Sequence, residues 1–235
     1  MAIENKKNID PTEVDKFNML AHKWWDPTSE FKPLHEINPL RVNFIKSKLS
    51  LEGKSILDVG CGGGILAEAL ALEGAVVTGI DQGDKVIKIA ELHNKESKLN
   101  INYKNMNIED FFKKNKEKYD VITCLEMLEH VPDPSSIIKT CAQLLKPQGR
   151  IFFSTLNRNP KSFLFAIVGA EYILKLLPKG THTYEKFITP AELRSWSSEV
   201  GLQFYDIIGM TYNPLTKIYS LTKDCSVNYL VEAGF

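Results

Sequence analysis

The sequence carries no surplus of either charge: 29 Lys and Arg stand against 29 Asp and Glu. Bulk nucleic-acid binding needs a basic excess to displace counterions from phosphates, so no nucleic-acid partner is expected. Cysteine is sparse. The four residues, Cys61, Cys124, Cys141 and Cys225, include no pair at CxxC spacing, which argues against a disulfide frame or a structural zinc site and for reduced thiols. Nowhere do 18 uncharged apolar residues run together, so no membrane-spanning helix is expected. Met1 to Asp10 is polar and lacks the apolar centre of a secretory signal.

What is present is an alternation of short apolar runs with helical patterns. Strands are predicted at Ser55–Val59, Ala75–Asp81, Ile101–Asn105, Asp120–Leu125 and Arg150–Thr155. Helices fall between them at Ile65–Glu73, Lys85–Lys98, Ile108–Asn115 and Ser135–Leu145. This βαβ rhythm predicts an α/β, doubly wound, Rossmann-like sheet with ligands above the C-terminal strand ends. The length suits a single domain over residues 1–235. Residues 10–49 form a helical cap before the first strand. Asp10-Pro11-Thr12-Glu13 starts one helix, with Asp10 as N-cap and Glu13 three residues on. Asp26 to Pro39 holds three prolines and reads as a loop, and Leu40 to Leu49 as a short helix. Gln203–Gly209 and Ile218–Thr222 are predicted to close the sheet, with the last strand antiparallel.

The strongest local signal is Ser55-Ile56-Leu57-Asp58-Val59-Gly60-Cys61-Gly62-Gly63-Gly64. A strand ends in a carboxylate, then in a loop that is nearly all glycine, and a helix follows at once. Without Cβ atoms, such a loop lets a ligand lie directly on the backbone at a helix N-terminus. Asp58 would repel a pyrophosphate, and suits a ligand with hydroxyls and positive charge, such as S-adenosylmethionine. Asp81 ends the second strand about 20 residues further on, where an acid grips ribose hydroxyls. That spacing serves a nicotinamide cofactor equally well, and Gly62, Gly64 and Ala67 satisfy the variant GxGxxA. An oxidoreductase therefore stays open on the glycines alone, as does a non-catalytic, lipid-binding member of the fold.

Cys124-Leu125-Glu126-Met127-Leu128-Glu129-His130 follows the fourth strand. If the chain turns helical there, Glu126, Glu129 and His130 share one face. Two carboxylates and an imidazole can hold a divalent cation, Mg²⁺ first, with Mn²⁺ or Zn²⁺ as other choices. The alternative makes His130 a general base, with the carboxylates bonded locally. Leu125 sits where the adenine or methionyl part of a ligand would pass.

Residues 158–189 interrupt the rhythm. Ser162 to Leu177 is apolar almost all round, with Glu171 and Lys175 marking one polar stripe. Phe163, Phe165, Ile167 and Leu174 belong either to a lid over the site or to a surface lying in a lipid interface and gripping a greasy substrate. Trp24, Trp25 and Phe31 are candidates to line the same cavity.

The strand-Asp-x-Gly-x-Gly-x-Gly element resembles the class I S-adenosylmethionine-dependent methyltransferases. Longer runs resemble, more specifically, the ubiquinone biosynthesis O-methyltransferases. They are Trp24-Trp25-Asp26, Glu30 to His35, Ile37 to Arg41, Leu57 to Glu68, Glu126 to Pro134, Ser154 to Asn159, Val168 to Leu174 and Pro178 to His182. Lys146-Pro147-Gln148-Gly149 departs from the family, whose turn commonly carries two glycines. The resemblance implies methyl transfer to phenolic hydroxyls of polyprenylated rings, 2-polyprenyl-6-hydroxyphenol and 3-demethylubiquinol. It implies cofactor contacts at Arg41, Gly60, Asp81 and Leu125, joined by Asp58 and Gly62 from the loop itself, with Arg41 on the methionyl carboxylate. It implies a divalent cation at Glu126, Glu129 and His130, and peripheral attachment of the Phe163–Leu177 region to anionic membrane lipids. A bacterial cytoplasmic location at the inner membrane, with other ubiquinone-biosynthesis proteins as partners, follows from the same resemblance.

Overall fold

A computed structural model describes residues 8–163 and 184–235. Eight strands make one sheet: β1 Ser55–Val59, β2 Val76–Asp81, β3 Asn102–Asn105, β4 Tyr119–Leu125, β5 Leu145–Leu156, β6 Gln203–Asn213, β7 Ile218–Thr222 and β8 Asn228–Gly234. Their order is β3-β2-β1-β4-β5-β8-β6-β7. The first five run parallel, and β8 pairs antiparallel with both β5 and β6.

The sheet is covered on both faces, and so its central strands are apolar nearly throughout. Leu57, Ile122 and Phe153 point to one face, where α5 Ile108–Lys114, α6 Pro134–Leu144 and α8 Pro190–Glu199 supply the partners. Ile56, Val121 and Phe152 point to the other, against α2 Lys32–Lys46, α3 Ile65–Leu72 and α4 Asp84–Glu96. α1 Pro11–Leu20 and the turn after it pack at the C-terminal strand ends, where Ala21, Trp24 and Phe31 meet Ile65 and Val86.

Three expectations change. First, the antiparallel end holds one strand more than the two read from the sequence. β8 is a separate strand that inserts between β5 and β6, while the expected pair becomes β6 and β7 at the edge. Second, α2 begins at Lys32, inside the stretch expected to be a loop. Pro33 lies in its first turn, where a missing N–H costs nothing, and Pro39 lies inside the helix on an exposed position. Burial of Ile37, Asn38, Arg41, Phe44 and Ile45 on one face outweighs the lost hydrogen bond. Third, Asp10 caps α1 by accepting from the Thr12 N–H, but Glu13 does not complete a capping box and turns away.

Of the apolar insertion, Pro160–Ser162 forms the short helix α7, and Phe163 is exposed with its ring edge-on to Tyr184. Phe165, Ile167 and Leu174 lie outside the described residues. Among the described residues no helix is long and apolar enough to cross a membrane.

Candidate active site

β1 delivers Asp58 and Val59 to a loop in which Gly60, Gly62 and Gly64 all have positive φ, at 72°, 52° and 94°. The loop is held from within. The N–H groups of Gly60 and Cys61 both donate to the Ile80 carbonyl, at 2.9 and 3.1 Å. The Gly62 N–H donates to Asp81 Oδ2 at 3.0 Å, and the Gly83 N–H to Asp81 Oδ1 at 2.8 Å. Three of the donors that a pyrophosphate would seek are therefore already spent, which weighs against the dinucleotide reading. Burial raises the Asp81 carboxyl above its usual range, and the two N–H bonds oppose that rise.

A cavity of about 780 Å³ opens above these strand ends. Asp58, Gly60, Asp81, Leu125, Glu126 and His130 all line it, as do Arg41 and Gly62. Asp58 is buried, accepts from Thr123 Oγ1 at 2.7 Å, and leaves Oδ2 without a partner. Burial pushes its carboxyl up to about 6. Arg41 is equally buried. Its Nε and Nη2 make no hydrogen bond, and its nearest carboxylate is Glu126 at 3.4 Å. Burial lowers the pKa of its guanidinium, while Glu126 and Asp58 hold it up. An unspent guanidinium edge in a low-dielectric wall is a receptor for a ligand carboxylate.

Glu126, Glu129 and His130 do not share a helical face. Glu126 takes a left-handed conformation at φ 52°, and only the three-residue turn Leu128–His130 follows. The carboxylate of Glu126 accepts from Ser154 Oγ at 2.6 Å and from Asn228 Nδ2 at 3.1 Å. Glu129 is buried and accepts from Thr155 Oγ1 at 2.9 Å, with Oε1 left unpartnered. Burial and the neighbouring Glu126 charge raise its pKa. His130 turns the other way, with Nδ1 3.0 Å from Glu13 Oε2. Among the described residues, no three His, Cys, Asp or Glu side chains are gathered as a metal site.

Asn38, Asn228, Ser154, Thr155 and Glu13 also shape this site, and the sequence reading passed over them as functional residues. Asn228 stands 102 positions from Glu126, and Glu13 stands 117 from His130. Neither pair carries a local spacing signal. Trp24 and Phe31 stack at 4.2 Å between ring centres and line the cavity as expected. Trp25 instead lies flat on His93 and donates its indole N–H to the Gly63 carbonyl at 2.9 Å.

A ligand cavity over a glycine loop, an acid at the end of each of the first two strands, and an antiparallel strand inserted beside β5 define a class I S-adenosylmethionine-dependent methyltransferase. The family model for a "Methyltransferase domain" matches residues 34–206. The chain belongs to the family of ubiquinone biosynthesis O-methyltransferases. It is 60% identical over 225 residues to the protein of that name from Pseudomonas savastanoi pv. phaseolicola, covering 96% of this chain and 97% of the relative. Among solved structures, magnesium protoporphyrin IX methyltransferase from Synechocystis PCC 6803 shares the fold. With bound S-adenosylmethionine it gives a TM-score of 0.66 at 19% identity, over 95% of each chain. With bound S-adenosylhomocysteine the TM-score is 0.69 at 20% identity, over 95% of this chain and 97% of that one.

Proposed function

We propose that the protein methylates phenolic hydroxyls of polyprenylated catechol and hydroquinone rings, 2-polyprenyl-6-hydroxyphenol and 3-demethylubiquinol, with S-adenosylmethionine as donor. The observation that carries this reading is the pairing of Arg41, whose buried Nε and Nη2 make no hydrogen bond and whose carboxylate neighbour is Glu126 at 3.4 Å, with the unbonded Asp58 Oδ2 in one cavity. A zwitterionic amino-acid ligand answers both charges. The cavity continues past Leu156, Tyr212, Pro214 and Tyr219, an apolar path suited to a prenylated ring.

When bound, S-adenosylmethionine supplies a methyl group already activated as a sulfonium. Arg41 holds the methionyl carboxylate, and Asp81, fixed by two backbone N–H groups, offers its remaining lone pairs to ribose hydroxyls. Gly60 and Gly62 let the ligand approach the backbone, and Leu125 packs against it. Alignment of this kind contributes about 7–11 kcal/mol in the best intramolecular cases. Without a cation, His130 would take the ring hydroxyl proton at Nε2. Loss of that proton matters because a phenol has a pKa of about 10.

Glu126, Glu129 and His130 would hold a divalent cation, which lowers the pKa of a ring hydroxyl it binds. The support is the chemistry of the donors: an orphaned buried Glu129 oxygen beside a second carboxylate asks for positive charge. The three side chains have to turn toward one another to supply it, and the same His130 atom then ligates instead of taking the proton.

The region 158–189, with Phe163, Phe165, Ile167 and Leu174, is proposed to lie against anionic lipid at the cytoplasmic face of a bacterial inner membrane. It completes a single catalytic unit over residues 1–235, near other proteins of the same biosynthesis. Its support is the apolarity of the sequence. Phe165→Asp with Leu174→Asp is expected to reduce co-sedimentation with anionic liposomes and spare S-adenosylhomocysteine binding. Unchanged co-sedimentation removes the membrane role.

The deciding experiment is transfer of labelled methyl from S-adenosylmethionine to a short-tailed prenyl catechol, alongside binding of S-adenosylhomocysteine and NADH. Transfer with S-adenosylhomocysteine binding supports the reading. NADH binding without transfer overturns it in favour of the oxidoreductase.

A further inference from the structure

We propose that Glu13, on the N-terminal helix α1, is a positioning residue that keeps the His130 proton on Nδ1 and so presents the Nε2 lone pair to the cavity. The proposal rests on the role given to His130 above and adds a residue from outside the methyltransferase sheet.

The geometry is specific. Glu13 Oε2 lies 3.0 Å from His130 Nδ1, and both side chains are largely buried. The Phe17 ring, one turn along α1, meets the imidazole edge-on at 5.2 Å and 86°, which limits its rotation. The other oxygen, Glu13 Oε1, accepts from Lys186 Nζ at 3.4 Å, and Asp10 accepts from the same amine at 2.9 Å. Lys16 Nζ stands 3.8 Å from Oε2. The carboxylate is thus tethered on both sides.

A carboxylate ordinarily ionises near pH 4 and then only accepts, so across the 3.0 Å contact Nδ1 is the donor. A neutral imidazole then carries its lone pair on Nε2. No described residue is seen to bond Nε2, and His130 lines the cavity. That lone pair is the form needed either to accept a phenolic proton or to ligate a cation, since an oriented histidine commonly gives its other N–H to a carboxylate.

The test reads the tautomer directly, by two-bond proton–nitrogen correlation on protein labelled with ¹⁵N-histidine, without substrate at pH 8. Wild type is expected to show Nδ1 protonated. Glu13→Gln keeps an accepting oxygen and is expected to keep that tautomer. Glu13→Leu is expected to move the proton to Nε2, the form an unassisted imidazole favours. In the methyl-transfer assay Glu13→Leu is expected to lower kcat roughly tenfold or more with KM for S-adenosylmethionine unchanged, and Glu13→Gln to recover most of the rate. An Nε2-protonated wild type, or equal losses in the two variants, overturns the proposal. If Glu13→Leu does not fold, the wild-type and Glu13→Gln spectra decide. Because the spectra need no acceptor, failure here is separate from failure of the prenyl catechol as substrate.

Discussion

Trp24 occupies the space that any side chain at Gly62 would need: a Cβ built on Gly62 falls 2.1 Å from Trp24 Cζ2. The glycine loop is therefore shaped from two sides, by a ligand cavity and by the indole that the N-terminal cap lays on it. Gly62→Ala combines this overlap with a left-handed φ of 52°. Overpacking and the left-handed conformation together cost roughly 2–4 kcal/mol. The melting temperature is expected to fall by at least about 5 °C, which differential scanning calorimetry reads.

Asp58 gives a pH signature. Its folded pKa, about 6, lies above the ordinary value of 3.8 for a free aspartate. Its contribution to stability is thus fully present below about pH 4 and is lost as pH rises through 6. Asp58→Asn keeps an oxygen for Thr123 and removes the buried charge. The ligand-free variant is expected to be more stable than wild type at pH 8, by at most about 3 kcal/mol, and no more stable at pH 4. Denaturant unfolding at the two pH values checks this. The same variant is expected to bind S-adenosylhomocysteine more weakly.

Arg41→Met retains the length of the side chain without its charge. Loss of a charge-assisted bond of about 1.5–3 kcal/mol is expected to raise the S-adenosylhomocysteine Kd by roughly 10- to 100-fold in titration calorimetry. Arg41→Lys is expected to restore little, because a point charge does not replace the planar edge.

For the cation, methyl transfer is expected to stop with EDTA and return with Mg²⁺. Glu129→Gln is expected to raise the Mg²⁺ concentration required by roughly tenfold or more. Full activity after exhaustive chelation would leave His130 as base and remove the ion.

The loop from Asp58 to Gly64, the strand carrying Asp81 and the alternation that builds β1 to β5 were legible because each is a local pattern. Strand runs buried on both faces and punctuated by glycine announce themselves within a few residues. The helical face expected at Glu126, Glu129 and His130 failed because the left-handed Glu126 ends any helical register, a choice secured by its N–H donating to the Ser154 carbonyl across the sheet. α2 ran through Pro39 because tertiary burial outweighed local propensity. Glu13 stands three residues after Asp10, as a capping-box acid would, yet its partner His130 is 117 positions away in sequence. Asn228 opens β8, a strand not expected from the sequence, and its partner Glu126 is 102 positions away. Such contacts belong to the assembled fold and leave no trace in spacing.

The placement of β8 has a consequence for biosynthesis. The strand made last among the eight sits between β5 and β6, with pairing partners on both sides. While a ribosome still holds Asn228–Gly234, the β6–β7 hairpin has no place to dock, and β5 keeps an open edge prone to pairing with other chains. The nascent protein can assemble its first five strands early. The wall that supplies Asn228 to Glu126 is completed only once β8 has been made, so the site closes after the first five strands have formed.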